Sequence, residues 1–320
     1  MTDASPEFDL LVLGTGAAGL TAAVTAAACG ARVGVFEKHE RVGGTSAYSG
    51  GMIWIPANAY RPPHRHDSRE AALTYLKALS NGILSDELIE AYVDGGPEMT
   101  EFLEEHTPIE WTCVSDFPDF HPEQPGAASK GGRTLECPPY PWGELGEWQE
   151  RVQESPYFPD THIAVGETTL GQPVALEIGP EVRQRRIDND ERGLGLSLIG
   201  RLLRGCLDRD VSIETQYRGV DLVIEGGRVA GVVFETPAGT EVVRAPNVVL
   251  ATGGFEWDEQ LRRAFLRGPL THPVSVPTNT GDGLRMVMRV GAMLGNMREA
   301  WWMPVIEVPE SVISTGRQLL

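Results

Sequence analysis

Cysteine is scarce in this chain of 320 residues. Cys29, Cys113, Cys137 and Cys206 are widely scattered, and no Cys-x-x-Cys pair occurs. Neither a zinc site nor a disulfide framework is indicated, and a reducing, cytoplasmic compartment is expected. Positive charge is also in short supply: 27 Lys and Arg stand against 45 Asp and Glu, giving a formal net charge of −18. Such a surface repels phosphate backbones and anionic lipid, so nucleic acid is not an expected partner. Internal repeats and low-complexity tracts are absent, as is any evident Ser, His and acid arrangement. One uncharged run, the 22 residues from Leu10 to Ala31, has the length of a membrane span. Gly14, Gly16, Gly19 and Gly30 break it into a strand, a turn and a helix, and Asp3, Glu7 and Asp9 precede it where a signal peptide would be basic. Neither a transmembrane nor a targeting segment is expected.

What remains is an ordinary globular composition, 41% apolar and 22% charged, with a length that suggests about two domains. Phe8 to Leu13, Ala17 to Cys29 and Arg32 to Phe36 read as a strand, a small-residue helix and a second strand. Helices are predicted over Ser68 to Leu79 and from Ser85 to about Glu105, where Leu88, Ile89, Tyr92 and Val93 recur at helical spacing and Ser85 is the candidate N-cap. Nine prolines between Thr107 and Asp160 exclude regular helix over most of that stretch, which is expected to form a long, ordered surface excursion. Leu194 to Leu207 carries an apolar helical stripe of Leu198, Leu202, Leu203, Cys206 and Leu207, expected to pack in the core. Short strands joined by tight turns follow at Val211 to Glu214, Val220 to Ile224, Val229 to Phe234, Glu241 to Arg244 and Val248 to Leu250. A helix from Asp258 to Leu266 and another from about Gly283 to Leu294 complete the pattern, the second expected to bury Met286, Val290, Met293 and Leu294. The fold class is therefore α/β, with a parallel sheet and a β-meander.

The chemistry lies in the turns. Gly14-Thr15-Gly16-Ala17-Ala18-Gly19 follows the first strand and opens the first helix, where backbone N–H groups and the helix dipole can hold a pyrophosphate. Glu37, at the end of the second strand, can accept hydrogen bonds from ribose hydroxyls and disfavours a 2′-phosphate. This unit alone does not separate NAD from FAD. The next glycine cluster, Gly43-Gly44-Thr45-Ser46-Ala47-Tyr48-Ser49-Gly50-Gly51, favours a large ligand such as FAD: its backbone can approach closely, and Thr45, Ser46 and Ser49 add hydroxyls. Ala251-Thr252-Gly253-Gly254 sets another close-approach turn at the carboxyl edge of the same sheet. In Asn279-Thr280-Gly281-Asp282-Gly283, Asp282 is either an N-cap of the following helix or a cofactor contact.

These segments, with Glu37-Lys38, Ile53-Trp54-Ile55-Pro56, Phe117-Pro118-Asp119-Phe120-His121 and Gly132-Arg133, resemble the fumarate reductase and succinate dehydrogenase flavoprotein superfamily, and within it the 3-ketosteroid Δ1-dehydrogenases. The resemblance covers essentially the whole chain. It implies a Rossmann-like FAD-binding domain whose contacts are Gly14, Gly16, Ala17, Ala18, Gly19, Glu37, Lys38, Gly43, Gly44, Thr45, Ser46, Ser49, Gly50, Gly51, Arg218, Ala251, Thr252, Gly253 and Asp282. It places residues 1–299 in the first part of that domain and 300–320 at the start of a substrate domain. The chain is expected to be C-terminally truncated, with the family's base tyrosine beyond Leu320 and apolar Trp301, Trp302, Val305, Ile306 and Val308 short of burial partners.

By resemblance the activity is FAD-dependent oxidation or reduction of a carbon–carbon bond next to a ketone, on a hydrophobic, steroid-like substrate and with a separate electron acceptor. A fumarate-reductase-like enzyme for a small unsaturated acid and a catalytically inactive flavin-domain fragment are the alternatives. Tyr48, Trp54, Phe117, Phe120 and His121 are candidate substrate-lining residues. Phe120 stands where the steroid dehydrogenases place a catalytic tyrosine, and it has no hydroxyl to assist proton transfer. No catalytic residue is assigned within the chain. His64 and His66 lack a third metal ligand, and Arg183, Arg185, Arg186 and Arg192, interleaved with acids, read as a solvated surface.

Overall fold

The computed structural model describes residues 7–158, 160–171 and 178–302. In chain order the elements are β1 (Leu10–Leu13), α1 (Ala17–Ala28), β2 (Val33–Glu37), α2 (Gly44–Tyr48), β3 (Ile53–Trp54), α3 (Arg69–Ser80), α4 (Asp86–His106), β4 (Thr112–Cys113), β5 (Thr134–Glu136) and β6 (Tyr140–Pro141). They continue with α5 (Pro180–Asp188), β7 (Glu191–Arg192), α6 (Leu194–Leu207), β8 (Ser212–Thr215), β9 (Arg218–Glu225), β10 (Arg228–Thr236), β11 (Gly239–Arg244), β12 (Val248–Leu250), α7 (Glu259–Phe265) and α8 (Asp282–Arg289). The chain divides into two compact units, one drawn from Met1–Tyr48, Gly146–Pro159 and Leu202–Leu320, the other from Ser49–Leu145 and Asp160–Arg201.

The first unit holds a parallel sheet in the order β12-β1-β2-β8. Strands buried on both faces read as near-continuous apolar runs, and LLVL and VGVF are such runs. Parallel neighbours need a crossover, supplied between β1 and β2 by α1, whose alanines let Leu20, Ala23 and Val24 bury fully. The meander β11-β10-β9 is antiparallel. Val232 and Phe234 of β10 join Leu11, Leu13 and Phe36 in one core, with the Phe36 and Phe234 rings stacked at 4.6 Å between centroids. The α/β class, the parallel sheet and the meander thus match expectation.

In the second unit α3 and α4 start at the serines expected to cap them: Ser68 accepts from the Ala71 N–H and Ser85 from the Leu88 N–H. The proline-rich stretch forms β4, β5 and β6 and, within Trp142–Arg151, two 3-10 turns separated by a kink at Gly146, with no α-helix among the described residues between 107 and 158. It is not a surface excursion. Leu135, Tyr140, Trp142 and Leu145 are all 2% exposed or less, because large apolar side chains placed by these short strands form this unit's own core. Two arginines serve as lids on it: the Arg201 guanidinium lies 4.9 Å from the Tyr140 ring centroid and that of Arg192 lies 4.7 Å from Trp142. Of the predicted arginine surface, Arg183, Arg185 and Arg192 pair with acids in partial or full exposure, but Arg186 is buried in a two-pronged pair with Glu167.

Helix α8 is shorter than its periodicity suggests. It ends at Arg289, leaving Val290 and Met293 exposed at 45% and 97%, so of the four expected core residues Met286 alone is fully buried. Trp301 and Trp302 are exposed, and Val305, Ile306 and Val308, with most of the expected substrate-domain start, lie outside the described residues. No described helix is long and apolar enough to cross a membrane.

Candidate cofactor site

The glycines of the first turn fall into two groups. A Cβ on Gly19 would overlap the Gly14 carbonyl oxygen, and one on Gly14, whose φ is +102°, would overlap that of Ala251. These two residues are glycine because β1, α1 and the turn after β12 pack there without room for a side chain. Gly16 and Gly44 are different. A Cβ on Gly16 would meet only the Ser46 hydroxyl, at 3.4 Å, and one on Gly44 would reach only the Gly16 backbone, at 3.8 Å. Protein packing does not demand a bare backbone at Gly16. Gly44, whose φ is +52°, lies in the region that favours glycine, and the bare backbones of Gly16 and Gly44 stand close to one another.

Helix α1 begins here with Gly16 as its N-cap, so the cap residue brings no side chain, and its first turn holds no acid. The first turn of α1 itself thus adds no negative charge at the positive end of the helix dipole. The Ala17 N–H donates to Ser46 Oγ at 3.0 Å, tying the first helix to α2. Thr45 Oγ1 accepts from Asn279 Nδ2 at 3.1 Å, and Asn279 also donates to Glu256 at 2.7 Å. The turns after β1, β2 and β12 and the segment before α8 thus meet around one locus of the first unit.

Glu37 is buried at the end of β2, 7% exposed. Its Oε2 accepts from the Thr15 N–H at 3.1 Å and the Thr15 hydroxyl at 2.6 Å, and its Oε1 accepts from the His39 N–H at 2.9 Å. Thr15 Oγ1 in turn accepts from the Gly43 N–H at 3.0 Å. Beside it, Lys38 Nζ donates to Thr280 Oγ1 and Asp282 Oδ2, both at 2.8 Å, and Arg218 Nη2 donates to Asp282 Oδ1 at 2.8 Å. Burial raises the Asp282 carboxyl, but the hydrogen bonds from Arg218 and Lys38 outweigh that and hold it below the usual aspartate range. Asp282 is not an N-cap: Gly281 occupies that position without a side-chain bond, and the Asp282 carboxylate is held by the two cations.

Of the remaining expected contacts, Ala18 is exposed on α1, and Ala251, Thr252 and Gly253 form the turn after β12. Ser49, Gly50 and Gly51 belong to the second unit, where the Gly195 N–H donates to the Ser49 carbonyl at 2.9 Å. Tyr48 lies in the first unit, edge-on to Tyr157 with centroids 6.1 Å apart, and burial raises both phenols.

Trp54, Phe117, Phe120 and His121 lie in the second unit. Phe120 is 63% exposed and meets buried Phe117 edge-on at 5.7 Å. His121 is also exposed, with Nδ1 3.4 Å from Glu123. Behind them sits a buried ionic cluster that sequence reasoning missed. Arg133 donates to both oxygens of Asp67 at 2.6 and 3.0 Å and to Asp119 at 2.8 Å, while Trp54 Nε1 donates to Asp119 at 2.7 Å. The guanidinium lies 5.5 Å from the ring centroids of both Trp54 and Tyr75. Among the described residues no group of three potential metal ligands occurs, His64 and His66 included.

The family model of the FAD binding domain matches residues 9–318. The chain belongs to this FAD-binding family. It is 38% identical over 312 residues to the 4-oxocyclohexanecarboxylate 2-dehydrogenase of Sinomonas cyclohexanicum, covering 93% of this chain and 52% of that protein. It is 35% identical over 321 residues to the 3-oxosteroid 1-dehydrogenase of Mycobacterium tuberculosis, covering 94% and 57%. Its fold matches that of the 3-ketosteroid Δ1-dehydrogenase of Sterolibacterium denitrificans, solved with 1,4-androstadiene-3,17-dione, with a TM-score of 0.81 and 31% identity over 94% of this chain and 58% of that one. A flavocytochrome c3 fumarate reductase, at 20% identity and a TM-score of 0.63, shares the fold. The chain spans about half the length of the curated relatives it matches. Its cofactor is FAD.

Proposed function

We propose that this chain forms the flavin-binding part of an FAD-dependent dehydrogenase that oxidises a carbon–carbon bond next to a ring ketone, in a 3-ketosteroid or a smaller cyclic ketone. The observation that carries this reading is the bare backbone of Gly16 and Gly44 at the start of α1, whose N-cap glycine brings no side chain and whose first turn holds no acid, beside the fixed carboxylate of Glu37. A diphosphate against that turn meets backbone N–H groups and the positive end of the helix dipole, with the Glu37 carboxylate engaged by Thr15 rather than by the first turn of α1. Gly14, Ala17, Ala18 and Gly19 shape the same turn. Glu37 takes an adenosine ribose hydroxyl, and Lys38, Gly43, Thr45, Ser46, Arg218, Ala251, Thr252, Gly253 and Asp282 complete the contact set within the first unit. In this reading residues 1–299 are the first part of the FAD-binding domain and 300–320 begin a substrate domain.

The named relatives support the substrate class, since each acts on a ring that carries an oxo group. Bound FAD supplies a hydride acceptor. The protein must then remove a proton from the carbon next to the carbonyl and stabilise the enolate that develops there. Trp54, Phe117 and Phe120 of the second unit supply apolar surface, and Phe120, lacking a hydroxyl, neither holds nor moves a proton. His121 is the titratable group beside it. The electron acceptor is separate from the substrate.

The test begins with the purified chain and added FAD. Retention of a flavin absorbance band, with FAD bound more tightly than FMN, is the expected result. Turnover of 4-oxocyclohexanecarboxylate or androstenedione with an artificial electron acceptor then reads the substrate class. Equal affinity for FAD and FMN would overturn the placement of the adenosine half at Glu37.

A further inference from the structure

We propose that Thr15, a position between the motif glycines, is a positioning residue that aims Glu37 at the adenosine ribose and so makes the site select FAD over FMN. The inference rests on the cofactor placement proposed above and adds to it a residue outside that contact set.

Thr15 is completely buried at the end of β1, and its hydroxyl has a defined direction of donation. Oγ1 receives the Gly43 N–H at 3.0 Å, so its own hydrogen is free to go to Glu37 Oε2, 2.6 Å away. The Thr15 N–H also donates to Oε2, at 3.1 Å. A carboxylate offers about four lone-pair positions. Thr15 takes two of them, both on Oε2, and the His39 N–H takes a third, on Oε1. The carboxylate is thereby fixed in rotation, and one lone pair of Oε1 is left among the described residues for an incoming hydroxyl. A threonine or serine is required for this. Valine has the same shape but leaves the Gly43 N–H without its acceptor and Oε2 without its charge-assisted bond. The same hydroxyl couples the two glycine turns, because Gly43 precedes Gly44, which stands beside the Gly16 backbone.

FMN lacks the adenosine ribose, which makes it the internal control. FAD and FMN affinities are measured by fluorescence titration for wild type, T15S, T15V, E37A and T15V/E37A. T15V is expected to weaken FAD roughly tenfold, the worth of one charge-assisted hydrogen bond, while FMN changes less than threefold and T15S stays near wild type. In the E37A background T15V should have little further effect on FAD, since Thr15 acts through Glu37. Hydrogen exchange on the wild-type chain without flavin gives a reading independent of any variant that fails to fold: the Gly43 amide is expected to be slow. Equal losses for FAD and FMN, additive losses in the double variant, or a fast-exchanging Gly43 amide would each overturn the role of Thr15 while leaving the site reading intact. A wild-type chain that binds no FAD would overturn both.

Discussion

Replacing Arg133 by methionine tests how the second unit holds the Phe117 to His121 turn. The Arg133 side chain is 2% exposed, and its partners Asp67 and Asp119 are 3% and 2% exposed. It makes four hydrogen bonds, three to the two carboxylates and one to the Gly126 carbonyl at 2.9 Å. Asp119 also receives the Ala128 N–H at 2.8 Å and Trp54 Nε1, so it joins the turn to β3. Methionine has similar length and no charge, and it strands two carboxylates in a site from which water is excluded. Breaking a buried ion pair in this way costs about 3–5 kcal/mol, which corresponds to a fall in melting temperature of roughly 10 °C. The assay is thermal and urea unfolding followed by the fluorescence of the chain's seven tryptophans, Trp54 among them. An exposed pair of equal contact distance, Arg244 with Glu225 at 2.6 Å, supplies the comparison, and R244M is expected to cost less than about 1 kcal/mol. Adding D67N and D119N to R133M should recover part of the loss, because the stranded charges are then gone. A loss for R133M no larger than that for R244M would refute the reasoning, since burial would then have no bearing on the worth of the pair.

Gly16 and Gly19 predict opposite phenotypes: G16A should fold with near wild-type stability and lose FAD binding, whereas G19A should lower stability measurably even without flavin, by unfolding and flavin titration. Glu136 is buried and accepts from the Val165 and Gly166 N–H groups, and burial pushes its carboxyl up to about 6. The folded state thus holds this proton more tightly than the unfolded chain does, so its contribution is complete below about pH 4.5 and falls by about 2 kcal/mol as pH rises through 6. E136Q should flatten the stability profile across that interval in urea titrations. Asp282 has the opposite sign: its carboxyl is lowered, so its contribution is present above the ordinary aspartate value near 3.8 and is lost as pH falls through the lower folded value. D282N should therefore make acid unfolding less steep, read by circular dichroism. S85A should cost about 1 kcal/mol through loss of the α4 cap, measured by urea unfolding.

The first unit was legible because its signals are local. LLVL-GTGAAG-L and VGVFE put the strand, the turn, the helix and the acid within 28 residues, and each position constrains backbone shape directly. What local pattern does not carry is partnership. Thr15 is a variable position of the motif, and its role emerges only when Glu37 and Gly43, 22 and 28 positions later, fold onto it. Arg133 finds Asp67 across 66 positions, and nothing in Gly132-Arg133 announces that. The proline-rich stretch misled for a related reason. Proline excludes helix, but it does not exclude burial, and Tyr140, Trp142 and Leu145 are core residues held by short strands and turns rather than by a periodic element. The end of α8 failed on the same ground, since helical spacing at Val290 and Met293 has no packing surface to meet.

The order of the parallel sheet has a consequence for biogenesis. The site's walls come from opposite ends of the described sequence: β1 lies between β2 and β12, and Lys38 reaches Asp282 across 244 positions. A nascent chain emerging from the ribosome exposes the edge of β1 and the start of α1 long before β12 is made. Such nonlocal closure is slow to form and leaves an unpaired strand edge in the interim. In the proposed site, flavin capture therefore waits until β12 and the turn after it have been made.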